Sequence, residues 1–242
     1  MILIRSKLLL FLFLALLSAA ILPAQGLFAA EKFLAMMPNS DALDGWKFRG
    51  PKFMSKWIVG VAMIDPKNPK KLAVIKSDDS AIELVNTKKG GVDIYTEQAF
   101  GDCIVELEVM IPKRSNSGIY LMGQYEVQVA DSYGKKRIMD SAMGGIFGAA
   151  GPKINAANRP GEWQKFLIEF KAPRFENRKR IAPAEFVKVE LNGKLIHENV
   201  KIEKGPTSGA LKNGEFAEGP LMLQGGMGAV AYRNIRISIP GQ

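Results

Sequence analysis

Beyond its N-terminal quarter, the chain consists of short runs in which polar and apolar residues alternate. In the run from Ile104 to Ile111, the apolar residues at odd-numbered positions share one face, while Glu106 and Glu108 lie on the other. A period of two is that of a β-strand with one buried and one solvated face. The runs 163–171 and 186–191 repeat it. No window after residue 30 keeps an apolar stripe of helical period, so any helix must be short.

Turn residues separate these runs and indicate how the strands connect. Asn192-Gly193 lies between two such runs, which predicts a two-residue hairpin with a type I′ turn. The C-terminal run from Val230 to Ile239 alternates again and ends at Pro240. Many strands at short spacing, without helices between them, form antiparallel sheets. The sequence therefore predicts an all-β fold, a two-sheet antiparallel jelly-roll sandwich that forms a single domain over residues 31–242.

Residues 1–30 have the layout of a secretory signal peptide. Arg5 and Lys7 provide a positive start, Leu8 to Leu17 an apolar run, and Pro23 to Gly26 a small-residue exit. The apolar run is shorter than the roughly 20 residues that a membrane-spanning helix needs. We expect cleavage near residues 26–30, export to the periplasm or the exterior, and no membrane association of the mature chain.

The mature chain holds one cysteine and a moderate excess of positive charge. Cys103 can form no intramolecular disulfide, and its place at the start of an apolar run predicts a buried, unreactive thiol. The formal net charge is +9, and two of these charges, Arg5 and Lys7, leave with the signal segment. The remaining basic residues are scattered, without a basic helix or an aromatic-interleaved stripe, so we expect no nucleic-acid partner.

The segment 115–134 differs from the plain alternation because polar side chains interrupt its strands. In its second strand, Glu126 and Gln128 project from the same face, two residues apart. Nearby polar and aromatic residues are Asn116, Ser117, Tyr120, Asp131 and Tyr133. Carboxylates, amides and aromatic rings in one place suit a sugar, because hydroxyl groups need hydrogen-bonding partners and the C–H faces of a pyranose need a flat apolar contact. Surface decoration of a strand is the other interpretation.

Short motifs follow one another along nearly the whole mature chain. They are Asp44-Gly45-Trp46, Gly101-Asp102, Asn116-Ser117-Gly118-Ile119-Tyr120-Leu121, Tyr125-Glu126-Val127-Gln128-Val129, Gly145-Ile146-Phe147-Gly148, Gly161-Glu162-Trp163, Leu191-Asn192-Gly193, Leu223-Gln224 and Tyr232-Arg233-Asn234-Ile235. In order and spacing the chain resembles the 3-keto-disaccharide hydrolase family of concanavalin A-like jelly rolls.

The resemblance implies a sugar-sized groove on the concave side of two curved sheets and activity on glycosides already oxidised at C3. A carbonyl group at C3 acidifies the C2 hydrogen, so a base can remove it, the C1 substituent leaves by β-elimination, and water then adds. Glu126 is the candidate base or metal ligand. The candidate substrate-binding residues are Asn116, Tyr120, Gln128, Asp131, Gln224 and Arg233. A structural ion pair is the alternative role of Arg233, because it falls in phase with an apolar face.

The chain departs from the family in one motif and leaves three functions open. Many members carry an Asp-His pair after the Leu-Gln motif, where this chain has Gly-Gly-Met at Gly225 to Met227. The single histidine, His197, is expected at the surface and far from the motif cluster. The alternatives to a hydrolase or lyase are a non-catalytic carbohydrate-binding module and a structural or protein-binding sandwich. No cofactor is certain, and a divalent metal held by Glu126 and Asp131 stays open.

Overall fold

The structure, a computed structural model, describes residues 33–38, 43–75 and 83–240. The segment interpreted as a signal peptide lies outside these residues. These described residues belong to one compact unit. Among the described residues, no helix has the length and apolar character needed to cross a membrane.

The described residues form sixteen strands and one short 3-10 turn at Lys52–Met54. The strands are β1 (Phe33–Ala35), β2 (Trp46–Arg49), β3 (Trp57–Asp65), β4 (Asn68–Ile75), β5 (Glu83–Asn86), β6 (Asp93–Phe100), β7 (Cys103–Met110), β8 (Asn116–Leu121), β9 (Tyr125–Ala130), β10 (Gln164–Lys171), β11 (Arg174–Glu176), β12 (Lys179–Ala182), β13 (Ala184–Leu191), β14 (Lys194–Ile202), β15 (Gly219–Leu223) and β16 (Val230–Ser238).

Two antiparallel sheets pack face to face. In the described part of the chain, the larger sheet has nine strands in the order β14-β13-β10-β7-β16-β5-β3-β4, with β1 beside β16. The smaller sheet has the order β2-β6-β15-β8-β9, and β11 and β12 form a separate ribbon. Most neighbouring strands are distant in sequence, as in a jelly roll. The predicted all-β, two-sheet antiparallel fold is confirmed.

The core lies between the two sheets, and both contribute to one cluster of buried apolar residues. Val105 and Leu107 enter it from the larger sheet, and Ile119, Val127 and Leu223 enter it from the smaller one. These residues are at most 1% exposed. The alternation predicted for β7 is confirmed, because its glutamates lie on the opposite, partly solvated face. Each strand of the smaller sheet therefore presents its other face away from the core.

Two local predictions agree with the structure. Asn192 and Gly193 have φ angles of 54° and 73°, the positive values of a type I′ turn, and they connect β13 to β14. Cys103 is 3% exposed. Burial, with a smaller contribution from the charge of Asp102, raises the pKa of its thiol to about 12, so it stays protonated and unreactive.

A β-bulge in β16 changes which residues face the core. The pairing with β7 shifts between Arg233 and Arg236, and Asn234 has a φ angle of 53°. Because one extra residue reverses the alternation, Tyr232 and Ile235 both point inward and Arg233 points outward. The expectation that Arg233 falls in phase with the apolar face of its strand was therefore wrong.

Candidate functional site

The face of the smaller sheet that points away from the core, called the site face below, carries two rows of aligned side chains. In the first row, Lys47 pairs with Tyr95, Tyr95 with Met222, Met222 with Tyr120, and Tyr120 with Glu126. Directly paired residues of antiparallel strands project from the same face. The row therefore brings together five strands whose residues are spread over most of the chain.

The second row crosses the same five strands next to the first. Arg49 pairs with Asp93, and Gly118 pairs with Gln128. Gln224 lies between these two pairs, since its N–H group donates to the carbonyl oxygen of Gly118 at 3.0 Å. Gly118 is the one position in this row without a side chain, and it leaves a hollow in the middle of the site face.

The carboxyl group of Glu126 fills this hollow. A Cβ atom built on Gly118 would lie 2.2 Å from Oε1 of Glu126 and 2.9 Å from Cε2 of Tyr120. Glycine is required here by the close approach of the carboxylate, which leans from the edge strand β9 towards β8. Glu126 thus projects over the sheet and not away from its edge.

Two neutral side chains contact this carboxylate. The amide of Gln128, in the orientation that satisfies both of its groups, donates to Glu126 Oε1 at 3.1 Å and to the Ser117 carbonyl at 3.0 Å, and it accepts from Asn116 Nδ2 at 3.3 Å. The Tyr120 hydroxyl also lies within reach of the carboxylate. No Lys or Arg of the described ranges forms an ion pair with Glu126.

Burial without a cation gives Glu126 an unusual acidity. It is 4% exposed. Burial raises its pKa from 4.5 to about 7, the Tyr120 hydrogen bond opposes this rise, and the nearby charge of Asp93 adds to it. A carboxyl group with a pKa near neutrality is typical of general acids and bases.

A loop at residues 207–211, called the strap below, crosses the site face above Tyr120. The Tyr120 hydroxyl donates to the Ser208 carbonyl at 3.3 Å. Arg49 holds the strap from the opposite sheet edge by donating to the carbonyl groups of Gly209 and the residue after it, at 2.5 and 2.9 Å. Gly209 has a φ angle of 87°, and a Cβ atom there would lie 2.9 Å from the Tyr120 hydroxyl. The strap therefore needs glycine where it passes over the ring.

Gln224 has an unused acceptor at the open end of the site face. Its Nε2 donates to the Tyr120 hydroxyl at 3.3 Å, but its buried Oε1 has no hydrogen-bonding partner. Gln224, Asn116 and Gly226 are partly exposed at this end. A ligand hydroxyl could donate to Gln224 Oε1 here, which would remove the cost of a buried unpaired acceptor.

The structure brings five of the seven candidate residues together and places two elsewhere. Asn116, Tyr120, Glu126, Gln128 and Gln224 share the site face. Asp131 lies past the end of β9, and its carboxylate accepts from the Arg114 N–H group at 2.8 Å, outside the two rows. It is therefore not a partner of Glu126.

Arg233 lies on the outer face of the larger sheet. Its guanidinium group donates to Glu108 at 2.7 and 2.8 Å, lies 3.7 Å from Glu83, and stacks 4.0 Å from the ring centroid of Trp163. The structural ion pair considered for Arg233 is what the structure shows. From the outer face of the larger sheet, Arg233 does not contribute to the site face.

The single histidine is buried and not at the surface, which corrects the sequence-based expectation. His197 is 2% exposed, and its Nε2 lies 2.8 Å from the Gly144 carbonyl. Burial lowers the pKa of this imidazole, against the opposing effect of that hydrogen bond. The N–H group of Gly144 in turn donates to the Gln128 carbonyl at 2.8 Å. His197 thus supports the segment beside β9 from below.

The described residues contain no cluster of three or more His, Cys, Asp or Glu side chains arranged to hold a metal ion. Asp131, the proposed second ligand beside Glu126, is engaged with the backbone of its own loop. The metal alternative therefore has no supporting geometry in this part of the chain.

Sequence reasoning missed several residues of the site face, namely Lys47, Arg49, Asp93, Tyr95, Gly118 and Met222, and it missed the strap. Their strands come together only through the sheet order β2-β6-β15-β8-β9. Gly118 was part of a quoted motif, and a glycine inside an apolar strand is a signal of close approach by another group. The other residues carried no comparable signal.

Comparison with known proteins identifies relatives of the whole domain. The family model described as 3-keto-alpha-glucoside-1,2-lyase-like domain matches residues 34–238, which confirms the resemblance found in the sequence. The comparison with curated proteins found no match.

Solved structures of similar fold include three candidate glycosyl hydrolases from Parabacteroides distasonis ATCC 8503. One shares 24% identity, covers 85% of this chain and 83% of its own, and has a TM-score of 0.59. A second shares 18% identity over 85% and 93% of the two chains, with a TM-score of 0.56. The third shares 18% identity over 86% and 100%, with a TM-score of 0.53. At these identities the likeness establishes the fold.

Proposed function

Because the chain belongs to the 3-keto-alpha-glucoside-1,2-lyase-like family, we propose that it cleaves glycosides oxidised at C3 of the sugar ring, with Glu126 as the base. One observation carries the proposal. The Glu126 carboxyl group lies over Gly118, buried and without a cationic partner in the described ranges, and its pKa is about 7. Such a group costs stability and is typical of catalytic sites.

The first step is removal of the C2 proton. The carbonyl group at C3 acidifies this hydrogen, and the electron pair left on C2 is delocalised onto the C3 oxygen as an enolate. Glu126 is about half deprotonated near neutral pH, so it combines a usable fraction of the basic form with a higher basicity than an exposed carboxylate. Gln128, whose amide oxygen accepts from Asn116, holds the carboxylate in place by donating to its Oε1.

The enolate needs a hydrogen-bond donor that keeps its proton. Burial raises the pKa of the Tyr120 hydroxyl far above its usual value, so this group stays neutral. It lies beside Glu126, its oxygen accepts from Gln224 Nε2, and its single proton, which the Ser208 carbonyl accepts at 3.3 Å, turns to the enolate oxygen when substrate is bound. A preorganised donor aimed at developing negative charge typically contributes about a hundredfold to a thousandfold in rate. The unpaired Oε1 of Gln224 would accept from a ring hydroxyl and orient the sugar.

Elimination and hydration complete the reaction. The electron pair on C2 forms a C1=C2 double bond as the bond from C1 to the leaving oxygen breaks. The proton that Glu126 took from C2 is returned to the leaving oxygen, which departs as an alcohol or phenol. Water then adds across the double bond, with its oxygen on C1 and a proton on C2, and a free 3-keto sugar results.

Two measurements on a 3-keto-glucoside test this proposal. Aglycone release follows the complete reaction, and exchange of the C2 hydrogen in D2O follows the base step alone. We expect both activities to rise with pH through about 7, as Glu126 loses its proton, and to fall by at least about a hundredfold in Glu126→Gln. Glu218, an exposed carboxylate near β15, gives the matched control Glu218→Gln. Absence of both release and C2 exchange between pH 5 and pH 9 would exclude the reaction.

Carbohydrate binding without turnover is the second candidate function, and the loop 225–228 favours it. A Cβ atom on Gly225 would lie 2.2 Å from the Val92 carbonyl oxygen and 2.5 Å from Trp57 Nε1. This position therefore excludes the aspartate that many family members carry. Saturable binding of the 3-keto-glucoside without C2 exchange, weakened by Gln224→Ala, would select this function.

We also propose that the chain is exported, to the periplasm or the exterior, on the layout of residues 1–30. N-terminal sequencing of the protein from its native host tests this. A mature N-terminus between residues 27 and 31 is expected, and an N-terminus at Met1 would refute export by cleavage.

A further inference from the structure

A cleft of about 400 Å³ lies beyond the edge of β9, next to the strand that carries Glu126. The turn 147–149 forms one wall, and the segment 201–208 forms the other. The lining is apolar at Phe147 and Pro206, and its exposed charged residues are Lys201, Glu203 and Lys204, which together leave an excess of positive charge. This volume falls in the range of small-molecule pockets.

Both walls of the cleft are bonded to the backbone of Glu126 itself. The Phe147 N–H group donates to the Glu126 carbonyl at 3.0 Å, and the Glu126 N–H group donates to Thr207 Oγ1 at 3.1 Å. Ser208 lines the cleft, and its carbonyl accepts from the Tyr120 hydroxyl on the site face. The cleft and the site face therefore share the strap and the backbone of Glu126 as common boundaries.

We propose that this cleft is the leaving-group subsite of the reaction and that it takes an aromatic, phenolic aglycone. The inference rests on the proposed function, because only elimination at C1 creates a departing group. The first row of the site face ends at Glu126, and the cleft continues in the same direction beyond the edge strand. A substrate bound beside the Glu126 carboxyl group, with its C1 substituent directed past β9, then places that substituent towards the cleft.

The chemistry of the lining selects a phenol over an aliphatic alcohol. The ring of Phe147 and the Pro206 side chain suit a planar apolar group. As the bond between C1 and oxygen breaks, negative charge develops on the leaving oxygen and is delocalised into an aromatic ring, which Lys201 and Lys204 stabilise by their positive charge. The proton removed from C2 then passes from Glu126 to this oxygen, and neutral phenol is released.

A pair of substrates that differ only in the aglycone tests the subsite. We expect Phe147→Ala to lower kcat/KM for a 3-keto phenyl glucoside about tenfold and to change kcat/KM for a 3-keto methyl glucoside by less than about twofold. Lys204→Gln, which leaves the apolar wall intact, should act in the same direction. Phe53→Ala, at an 85% exposed phenylalanine outside the cleft, is the control. Equal losses for both substrates, or no loss for either, would overturn the assignment.

A binding measurement separates failure of the subsite from failure of the reaction. In NMR titrations with unoxidised phenyl glucoside, the amides of Gly148 and Gly205 should shift, and with methyl glucoside they should not. Shifts confined to the phenyl compound support the subsite even if neither keto substrate is cleaved, which would reject the reaction alone. Cleavage of both keto substrates without these shifts would reject the subsite alone. Equal shifts of the same two amides with a disaccharide would show that the cleft takes a second sugar ring, and they would overturn the assignment to a phenol.

Discussion

Replacing Glu126 by glutamine should change how the stability of the protein depends on pH. Burial holds the pKa of this carboxyl group at about 7 in the folded protein, compared with 4.5 when it is exposed. One pKa unit corresponds to about 1.4 kcal/mol. The ionised carboxylate therefore costs about 3 kcal/mol of folding free energy, and its 4% exposure leaves little solvent to screen it. Glutamine has nearly the same shape and carries no charge to bury.

The sign follows from which state binds the proton. Below pH 4.5 the folded and unfolded chains are both protonated at Glu126, and the residue costs little. Between pH 4.5 and about 7 the folded chain keeps the proton that the unfolded chain has lost, so the free energy of unfolding falls as pH rises. Above about pH 7 both states are ionised, and the loss stays constant.

Urea unfolding of wild type and Glu126→Gln at pH 4.5, 6 and 8 measures this effect. We expect nearly equal stabilities at pH 4.5 and an advantage of about 2–3 kcal/mol for Glu126→Gln at pH 8. Glu218→Gln should follow the wild-type curve at every pH, because Glu218 is exposed. A difference between Glu126→Gln and wild type that does not vary with pH would refute the buried, unpaired carboxylate.

Three further substitutions test other parts of the structure. Gly118→Ala places a methyl group 2.2 Å from Glu126 Oε1 and must displace the carboxylate. C2 exchange should fall at least about a hundredfold, while the free energy of urea unfolding falls by only about 1–3 kcal/mol. Retained exchange would contradict the position of the carboxylate. Arg233→Ala should lower the free energy of unfolding by about 2 kcal/mol, because it removes the cationic partner of Glu83 and Glu108 on the larger sheet. C2 exchange should stay unchanged, and a selective loss of exchange would return Arg233 to the site. Gly226→His should fold normally, since the nearest atom to a Cβ at this position is the Gly91 carbonyl oxygen at 3.5 Å. If a missing imidazole limits turnover, this variant should release aglycone faster than wild type. An unchanged rate would show that proton transfer from this position is not limiting.

The strands of the core could be predicted from the sequence because the residues that specify them are close together in the chain. The alternation in β7 and the Asn192-Gly193 turn involve residues close in sequence, and each specifies its conformation without the rest of the chain. The phase predicted for Arg233 and the surface position predicted for His197 were wrong for the opposite reason. A one-residue bulge reversed the phase of Arg233, and the segment that buries His197 lies some fifty residues earlier in the chain, at Gly144.

The sequence by itself determined an all-β chain of the 3-keto-glucoside lyase type and the shared face of Glu126 and Gln128, since side chains two apart on a strand must project together. Only the tertiary structure decided what surrounds that face. Strand pairing brought Tyr120, Gly118 and Gln224 to the Glu126 carboxylate. The absence of a side chain at Gly118 let the carboxylate lie buried under the strap, and burial moved its pKa towards neutrality. Desolvation and close approach depend on contacts between strands distant in sequence, which no local pattern encodes.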